Sequence, residues 1–166
     1  MGDVAAIVLA AGEASRFGSP KQRILLPRVL ERLRASRVDE IVVVEGAYPL
    51  ESGDARLVPC PDWARGPGAS LRCGLAALGD DVDAAVVVLA DGPNLSPRAV
   101  ERVLSDWEAD GGIVAASYDG GRGHPLVLGR DAWRAIPDEG LRELPVRLVP
   151  CDDLGAPGDV DTPEDL

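Results

Sequence analysis

The sequence predicts a single α/β domain in which a mostly parallel sheet lies between two layers of helices. Short continuous apolar runs are typical of strands buried on both faces, and the clearest are residues 4–9, 41–44 and 84–89. Stretches with helical spacing of apolar residues separate these runs, which favours a three-layer architecture. The length of 166 residues and the hydrophobic content of 46% suit one domain over residues 1–166.

The other elements follow from local signals along the chain. Ser96 and Pro97 are typical of a helix start, and Val100, Val103 and Leu104 continue that helix with regular spacing. Further strands are predicted at residues 57–59, 113–117, 124–128 and 146–149, with a hairpin-like connection at 118–123. A helix is predicted from Pro27, with Val29, Leu30 and Leu33 on its apolar face. A second follows the Gly-rich loop 63–71 and has Leu71, Leu75 and Leu78 on one face. Two more are predicted at residues 130–136 and from Thr162.

The charge balance narrows the classes of partner. Lys and Arg total 17 against 28 Asp and Glu, which gives a net charge of −11. A strongly acidic protein is a poor partner for nucleic acid or for an anionic membrane surface, so neither is expected. An anionic substrate must therefore be bound by local cations.

Two further patterns concern location and cysteine chemistry. The apolar runs are far shorter than the ~20 residues that span a bilayer, and the N-terminal residues lack the features of a signal peptide, so a cytoplasmic protein is expected. Cys60, Cys73 and Cys151 are odd in number and have no CxxC spacing. We therefore expect three small buried side chains rather than a disulfide or a zinc site.

A Gly-containing loop directly after the first strand is the main candidate for a binding site. Small residues at Ala10, Ala11 and Gly12 allow the backbone to approach a ligand, and Arg16 and Lys21 add two cations. Exposed amides and spaced positive charges predict an anion site, best suited to nucleotide phosphates. The spacing matches neither GxxxxGK[ST] nor GxGxxG, and an ordinary strand-to-helix turn is the alternative.

Two carboxylates are candidates for a metal site. Asp91 follows the predicted strand at residues 84–89, where open α/β sheets bind their ligands, and Asp161 lies in a loop near the end of the sequence. Mg²⁺ usually takes one or two carboxylates from a protein and its other ligands from water and substrate phosphates. For either residue a turn or cap role is the alternative.

Five stretches follow one another along the chain: LAAGEASRFGSPKQ, DWARGPGASLRCGL, LADGPNLSP, GHPLVLGR and DVDTPEDL. They resemble, in the same order, the motifs LAAGxSxRMGxxK, W-x-x-G-x-x-x-S-L-x-x-G-L, L-x-D-Q-P, G-H-P-x-x-F and D-I-D-T-P-E-D-L. These are motifs of the MobA-like nucleotidyltransferases, and specifically of the molybdenum cofactor cytidylyltransferase group. The resemblance covers nearly the whole chain.

The resemblance implies a Rossmann-like nucleotidyltransferase fold of the glycosyltransferase-A type. It also implies transfer of a nucleoside monophosphate from an NTP, with release of pyrophosphate. The nucleotide would be bound by Leu9, Ala10, Ala11, Gly12, Gly66, Gly68 and Ser70. The catalytic residues would be Arg16, Lys21 and Asp91, and Mg²⁺ would be held by Asp91 and Asp161. Asp138, Gly140 and Arg142 resemble a remnant of a later D-x-G-x-R element.

On the acceptor side, the resemblance implies that Gly123, His124 and Pro125 face a phosphorylated cofactor such as molybdopterin. A terminal phosphate that is already ionised can attack the α-phosphorus in line without a general base. His124 is therefore expected in the substrate pocket, with a structural histidine in a turn as the alternative. A molybdoenzyme or its chaperone is a further expected partner.

Three alternatives to cytidylyl transfer stay open at the level of sequence. One is guanylyl or other nucleotidyl transfer to a different small phosphorylated acceptor, because only a few hydrogen bonds distinguish the bases. A non-catalytic nucleotide- or cofactor-binding protein is suggested by the compaction around the acceptor region, where the segment at residues 133–138 is short. Gly92, where the family commonly has Gln, leaves the identity of the substrate open. A sugar-phosphate nucleotidyltransferase would share the fold and the phosphate loop.

Overall fold

The computed structural model of the protein describes residues 2–10, 21–46, 50 and 52–158. Within that part of the chain, seven strands form one sheet in the order β3-β2-β1-β4-β6-β5-β7. The strands are β1 (Asp3–Ala10), β2 (Glu40–Glu45), β3 (Arg56–Pro59), β4 (Val82–Leu89), β5 (Ile113–Tyr118), β6 (Gly121–Gly129) and β7 (Arg147–Pro150). The α-helices are α1 (Lys21–Arg34), α2 (Pro67–Ala76) and α3 (Pro97–Asp110), and short 3₁₀ turns occupy Trp63–Arg65, Arg130–Ala135 and Asp152–Leu154.

The sheet is mostly parallel, as the apolar runs predict. Strand β1 pairs in parallel with β2 and with β4, so that Ile7 lies between Val42 and Val87. All three side chains are almost completely buried. Strand β6 runs antiparallel to both β4 and β5, and the β5–β6 hairpin lies where the sequence indicates a hairpin.

Two apolar cores lie on opposite faces of the sheet, because successive side chains of a strand point in opposite directions. On one face Ala6 and Val8 of β1 pack with side chains of α1 and α3. On the other face Ile7 packs with Leu71 and Leu75 of α2. The expected three-layer α/β fold is confirmed.

Helix α1 begins six residues before the predicted start, because Pro27 lies inside the helix and does not open it. Leu25 and Leu26 are buried together with Val29 and Leu30, so the apolar face extends back beyond the proline. Pro27 itself is exposed and gives up one backbone hydrogen bond. Packing of the preceding leucines therefore outweighs the local cost of the proline.

The expectation that no disulfide forms is wrong. Cys60 and Cys73 are joined by a disulfide, with their Cα atoms 5.8 Å apart. Cys60 follows β3 and Cys73 lies in α2, and the fold brings them together although 13 positions separate them in the sequence. Cys151 is buried, as expected of a small apolar side chain.

The described helices are all too short or too polar to cross a membrane. The helix predicted from Thr162 lies outside the described residues. The short helix predicted at residues 130–136 is present as the 3₁₀ turn Arg130–Ala135.

Candidate functional site

The candidate site lies at the carboxyl ends of β1 and β4, which are neighbours in the sheet. After β1 the chain continues through α1 to β2 on one side of this strand pair, and after β4 it continues through α3 to β5 on the other side. The connections that leave the carboxyl ends of β1 and β4 therefore run in opposite directions along the sheet and leave a crevice between them. Open α/β sheets bind ligands in such a crevice. Asp91 lies at its edge, two residues after the end of β4.

A cavity of about 640 Å³ opens beside this crevice. Its lining is mainly apolar and comes from the carboxyl ends of β1 and β4, from α2 and from β6. Its charged lining residues are Arg122, Glu139 and Arg142. An apolar floor with a few charged groups at the rim suits an organic ring that carries polar substituents.

A smaller cavity of about 370 Å³ lies beside the same part of β6. It is lined by Tyr118, by Gly92 after β4 and by residues 156–158, among others. Leu89, Arg122, Gly123 and His124 line both cavities. His124 and its neighbours therefore lie between two spaces that open next to each other.

The His124 side chain is held in the neutral form. Burial lowers the pKa of the imidazole, and the negative charge of Asp91 raises it, but burial is the larger effect. Because its ordinary value is near 6.5 and burial lowers it, the imidazole of the free protein is mostly neutral at pH 7.

The backbone around His124 is fixed by Tyr118. The Tyr118 hydroxyl donates a hydrogen bond to the His124 carbonyl oxygen (2.8 Å), and the peptide bond between His124 and Pro125 is cis. Burial raises the pKa of Tyr118 to about 12, so the hydroxyl keeps its proton at neutral pH. Pro125 is buried in β6 and anchors the strand behind the histidine.

The glycines of the loop before α2 pack against protein. A Cβ on Gly68 would overlap the Pro137 carbonyl oxygen, and a Cβ on Gly66 would overlap that of Asp138. Ser70 is buried. In α2, Pro67 and Leu71 line the larger cavity. The contribution of Gly66, Gly68 and Ser70 to a nucleotide site stays a prediction, and their observed contacts place residues 137–140 against α2.

The structure brings several of the predicted site residues together. Leu9 lines the larger cavity, and Ala10 ends β1 directly after it. Asp91 interacts electrostatically with His124, which follows Gly123 in β6. Ala11, Gly12, Arg16 and Asp161 lie outside the described residues. Of Lys21 only the backbone is described, as the first residue of α1.

Arg122 and Tyr118 are among the lining residues that the sequence did not single out. Arg122 lines both cavities and directly precedes Gly123, so its place as a cation beside a predicted site residue was the available signal. Tyr118 lines the smaller cavity, and the hairpin prediction alone did not indicate which of its side chains face inward.

The described residues fit a magnesium site only in part. Asp91 supplies one carboxylate at the end of β4, and no cluster of three or more His, Cys, Asp or Glu side chains occurs among the described residues. One hard oxygen ligand is compatible with Mg²⁺, which binds one or two carboxylates together with substrate phosphates. A closed, protein-only metal cage is not found in this part of the chain.

Comparison with known sequences identifies one family. The sequence model of the family described as the MobA-like NTP transferase domain matches residues 6–147. The molybdenum cofactor guanylyltransferase of Rhizobium meliloti is 32% identical over 133 residues, which cover 73% of this chain and 60% of that protein. The bifunctional protein GlmU of Micrococcus luteus is 29% identical over 155 residues, which cover 77% of this chain. The chain spans only 30% of the length of that GlmU protein.

Comparison with solved structures supports the same fold. The crystal structure of Rv0371c from Mycobacterium tuberculosis H37Rv has a TM-score of 0.80 and 26% identity, and covers 99% of this chain and 95% of that one. A manganese complex of the same protein has a TM-score of 0.74 and 25% identity, with coverages of 98% and 95%. A nucleotidyl transferase from Methanothermobacter has a TM-score of 0.75 and 22% identity, with coverages of 98% and 94%.

Proposed function

Because the chain belongs to the family of the MobA-like NTP transferase domain, we propose that it is a Mg²⁺-dependent nucleotidyltransferase. It transfers an NMP from an NTP to a phosphorylated cofactor such as molybdopterin and releases pyrophosphate. The first candidate for the transferred group is CMP. The observation that carries this proposal is the crevice between β1 and β4, with Asp91 at its edge and a 640 Å³ cavity beside it.

In the proposed reaction the nucleotide lies at the end of β1. Leu9 and Ala10 line it together with Ala11 and Gly12, and Arg16 and Lys21 hold its phosphates. Asp91 and Asp161 are the proposed Mg²⁺ ligands. Mg²⁺, when bound, neutralises charge on the phosphates and orients them. The manganese complex of the Mycobacterium tuberculosis protein supports a divalent cation of this kind.

The acceptor is proposed to bind beside Gly123, His124 and Pro125, with the NTP on the other side of His124. The neutral imidazole can donate or accept a hydrogen bond, but it is a weak candidate for a base because burial lowers its pKa. A phosphate nucleophile is already ionised at pH 7, so the protein needs mainly to position it in line with the α-phosphorus.

Guanylyl transfer is the second candidate. It is favoured by the 32% identity to the molybdenum cofactor guanylyltransferase of Rhizobium meliloti. The two candidates share the phosphate and metal residues and differ only in the contacts made with the base.

Pyrophosphate release tests the proposal and separates the candidates. The protein is incubated with Mg²⁺ and CTP, GTP, ATP or UTP, each without an acceptor and with a panel of acceptors that comprises molybdopterin and other small phosphorylated compounds. Release of pyrophosphate with CTP and molybdopterin supports cytidylyl transfer. Release with GTP as the only active nucleotide rejects cytidylyl transfer. NTP binding without pyrophosphate release across the acceptor panel would favour a non-catalytic binding protein.

The Asp91→Asn variant tests the metal assignment. It keeps the size of the side chain but removes the charge that a divalent cation needs, so we expect kcat to fall by roughly a hundredfold or more. Unchanged release would contradict the role of Asp91.

Several other expectations stay predictions. They are the absence of nucleic-acid and membrane partners, the molybdoenzyme or chaperone partner, and the cytoplasmic location. A disulfide such as Cys60–Cys73 is more often found in oxidising compartments. Thiol labelling of the protein taken directly from cells would show whether this pair is oxidised there.

A further inference from the structure

One wall of the larger cavity is an irregular segment, residues 136–144, which we call the strap. It connects the 3₁₀ turn Arg130–Ala135 to the region before β7. Glu139, Gly140, Leu141 and Arg142 of the strap line the cavity. Because these residues line the cavity together with residues of β1, β4, α2 and β6, the position of the strap affects the shape of the cavity.

Arginines from two neighbouring elements hold the strap at its two ends. The Arg72 Nη1 of α2 donates to the Ile136 carbonyl oxygen (2.6 Å). From the hairpin, Arg122 Nη1 donates to the Leu141 carbonyl oxygen (2.8 Å), and Nη2 donates to that of Leu144 (3.4 Å). The strap thus depends on contacts with side chains far away in the sequence.

Asp138 is the point at which the strap meets the start of α2. Its carboxylate accepts hydrogen bonds from Arg65 Nη2 (3.1 Å) and from Arg72 Nη2. Its carbonyl oxygen accepts one from the Gly68 N–H (2.8 Å). Asp138 therefore contacts three residues in and before α2 with its side chain and its backbone together.

The carboxylate of Asp138 is ionised at neutral pH. The hydrogen bond from Arg72, followed by that from Arg65, holds the pKa of this carboxyl below its usual range. Two guanidinium groups against one carboxylate fix both its charge and its direction, because the planar guanidinium donates along set directions.

The glycines of this contact permit its close approach. Gly68 and Gly66 leave no room for a Cβ beside the carbonyl groups of Pro137 and Asp138. Gly140 has a φ of +98°, a conformation that side chains disfavour, and it lies against the Pro67 ring. The packing of α2 on the strap is therefore specified by backbone on both sides.

We propose that Asp138 is a positioning residue for the NTP: it holds the strap against the start of α2 and thereby sets the shape of the larger cavity. The inference rests on the proposed function, because it assigns that cavity to the nucleotide. Asp138 is not proposed to touch the reacting phosphates. Its loss should therefore weaken NTP binding and leave the chemical step nearly unchanged.

Steady-state kinetics of Asp138→Asn test this. We expect the KM for the NTP to rise about tenfold while kcat stays within about twofold, the pattern that follows when binding is lost equally from ground and transition states. Asp138→Glu keeps the charge, so its KM should lie much closer to the wild-type value than that of Asp138→Asn. The matched control is Asp153→Asn, because Asp153 pairs with Arg102 of α3 (2.8 Å) and lines neither cavity, so both constants should stay unchanged.

Hydrogen exchange gives a second readout that does not require turnover. The Gly68 amide bonds to the Asp138 carbonyl oxygen, so its exchange should be faster in Asp138→Asn than in the wild type and unchanged in Asp153→Asn. A wild-type KM together with unchanged Gly68 exchange would overturn the inference. Equal changes in kcat and in KM that parallel a loss of folded protein would also overturn the inference.

The two proposals fail in different ways. A wild-type protein that releases no pyrophosphate with any NTP and acceptor contradicts the proposed function. An active wild type whose Asp138→Asn variant keeps its KM contradicts only the inference about the strap.

Discussion

Helices α2 and α3 lie on opposite faces of the sheet and are held there in different ways. Helix α3 carries local stabilising signals of its own, and ion pairs with distant residues, such as Arg37 with Glu108 and Arg102 with Asp153, hold it as well. The Ser96 hydroxyl accepts a hydrogen bond from the Arg98 N–H (3.2 Å), Pro97 occupies the first turn, and Val100 and Leu104 are fully buried. These are local signals, each within a few residues of the next.

Helix α2 is shorter, with ten residues against fourteen, and Gly66, which precedes its first residue, has no side chain to cap it. It is fixed by contacts from distant parts of the chain, namely the Cys60 disulfide and the strap through Asp138. The helix beside the larger cavity is thus positioned by its surroundings. Because α2 lines the larger cavity and α3 does not, we expect changes in α2 to affect the site and changes in α3 to affect mainly the stability of the fold.

The largest effects are expected from a matched pair of leucines. Leu71 of α2 and Leu104 of α3 are both buried, so Leu71→Ala and Leu104→Ala should each lower the free energy of unfolding by about 2–5 kcal/mol. Leu71 also lines the larger cavity. Its variant should therefore raise the KM for the NTP, and Leu104→Ala should not.

Denaturant unfolding and NTP kinetics on the same samples check this pair. The kinetics are measured at a temperature at which both variants are folded. A similar rise in KM for Leu104→Ala would show that the two helices do not differ in their relation to the site.

The disulfide should give the next largest effect. It closes a loop between residues 13 positions apart, and the chain-entropy estimate for a loop of about 15 residues is about 3 kcal/mol. Replacing Cys60 and Cys73 together by Ala should therefore lower the Tm. A reductant should lower the Tm of the wild type and leave that of the double variant unchanged. A wild-type Tm that does not respond after both thiols have been shown to be reduced would contradict this role.

Removal of the α3 cap should have a smaller effect. Ser96→Ala deletes the acceptor for the Arg98 N–H and should cost about 1 kcal/mol of unfolding free energy, with kcat and KM unchanged. Ser105→Ala, on the exposed side of the same helix, is the control and should cost clearly less. Equal Tm values for the two variants would argue against a capping role.

The smallest effects on stability are expected when two carboxylates become protonated at acid pH. Arg72 lowers the pKa of Asp138, and Arg102 lowers that of Asp153, from usual values near 3.8. Each carboxylate therefore stabilises the folded protein above that usual value, and the contribution is lost as the pH falls through the lower pKa of the folded state. Carboxyl ¹³C NMR titration should place both groups below 3.8. A value at or above it for either would contradict the ion pair.

The sequence analysis succeeded where the signals are local. The strands show as apolar runs, and α3 shows as a cap, a first-turn proline and a regular apolar face. Asp91 could be placed because the end of a parallel strand is visible as the end of an apolar run. Pro27 misled the prediction of α1, because packing of Leu25 and Leu26 outweighs a local helix breaker.

The contacts that shape the larger cavity were not predictable in the same way. Asp138 and Arg72 are separated by 66 positions, and no spacing rule links them. The same holds for the Cys60–Cys73 pair, since bridging two cysteines depends on how β3 and α2 pack. The resemblance implied nucleotide binding by Gly66 and Gly68, which stays a prediction, whereas their packing against the strap was not predicted.

A crystal soaked with Mg²⁺ and a non-hydrolysable CTP analogue tests the central claim most directly. We expect the base in the larger cavity, between Leu71 and the strap, with the phosphates directed toward the end of β1 and Asp91. A parallel soak with a GTP analogue would compare the two bases. A nucleotide bound instead in the cavity of about 390 Å³ at the amino ends of β2 and β3, beside Arg34 and Arg56, would contradict the proposed site.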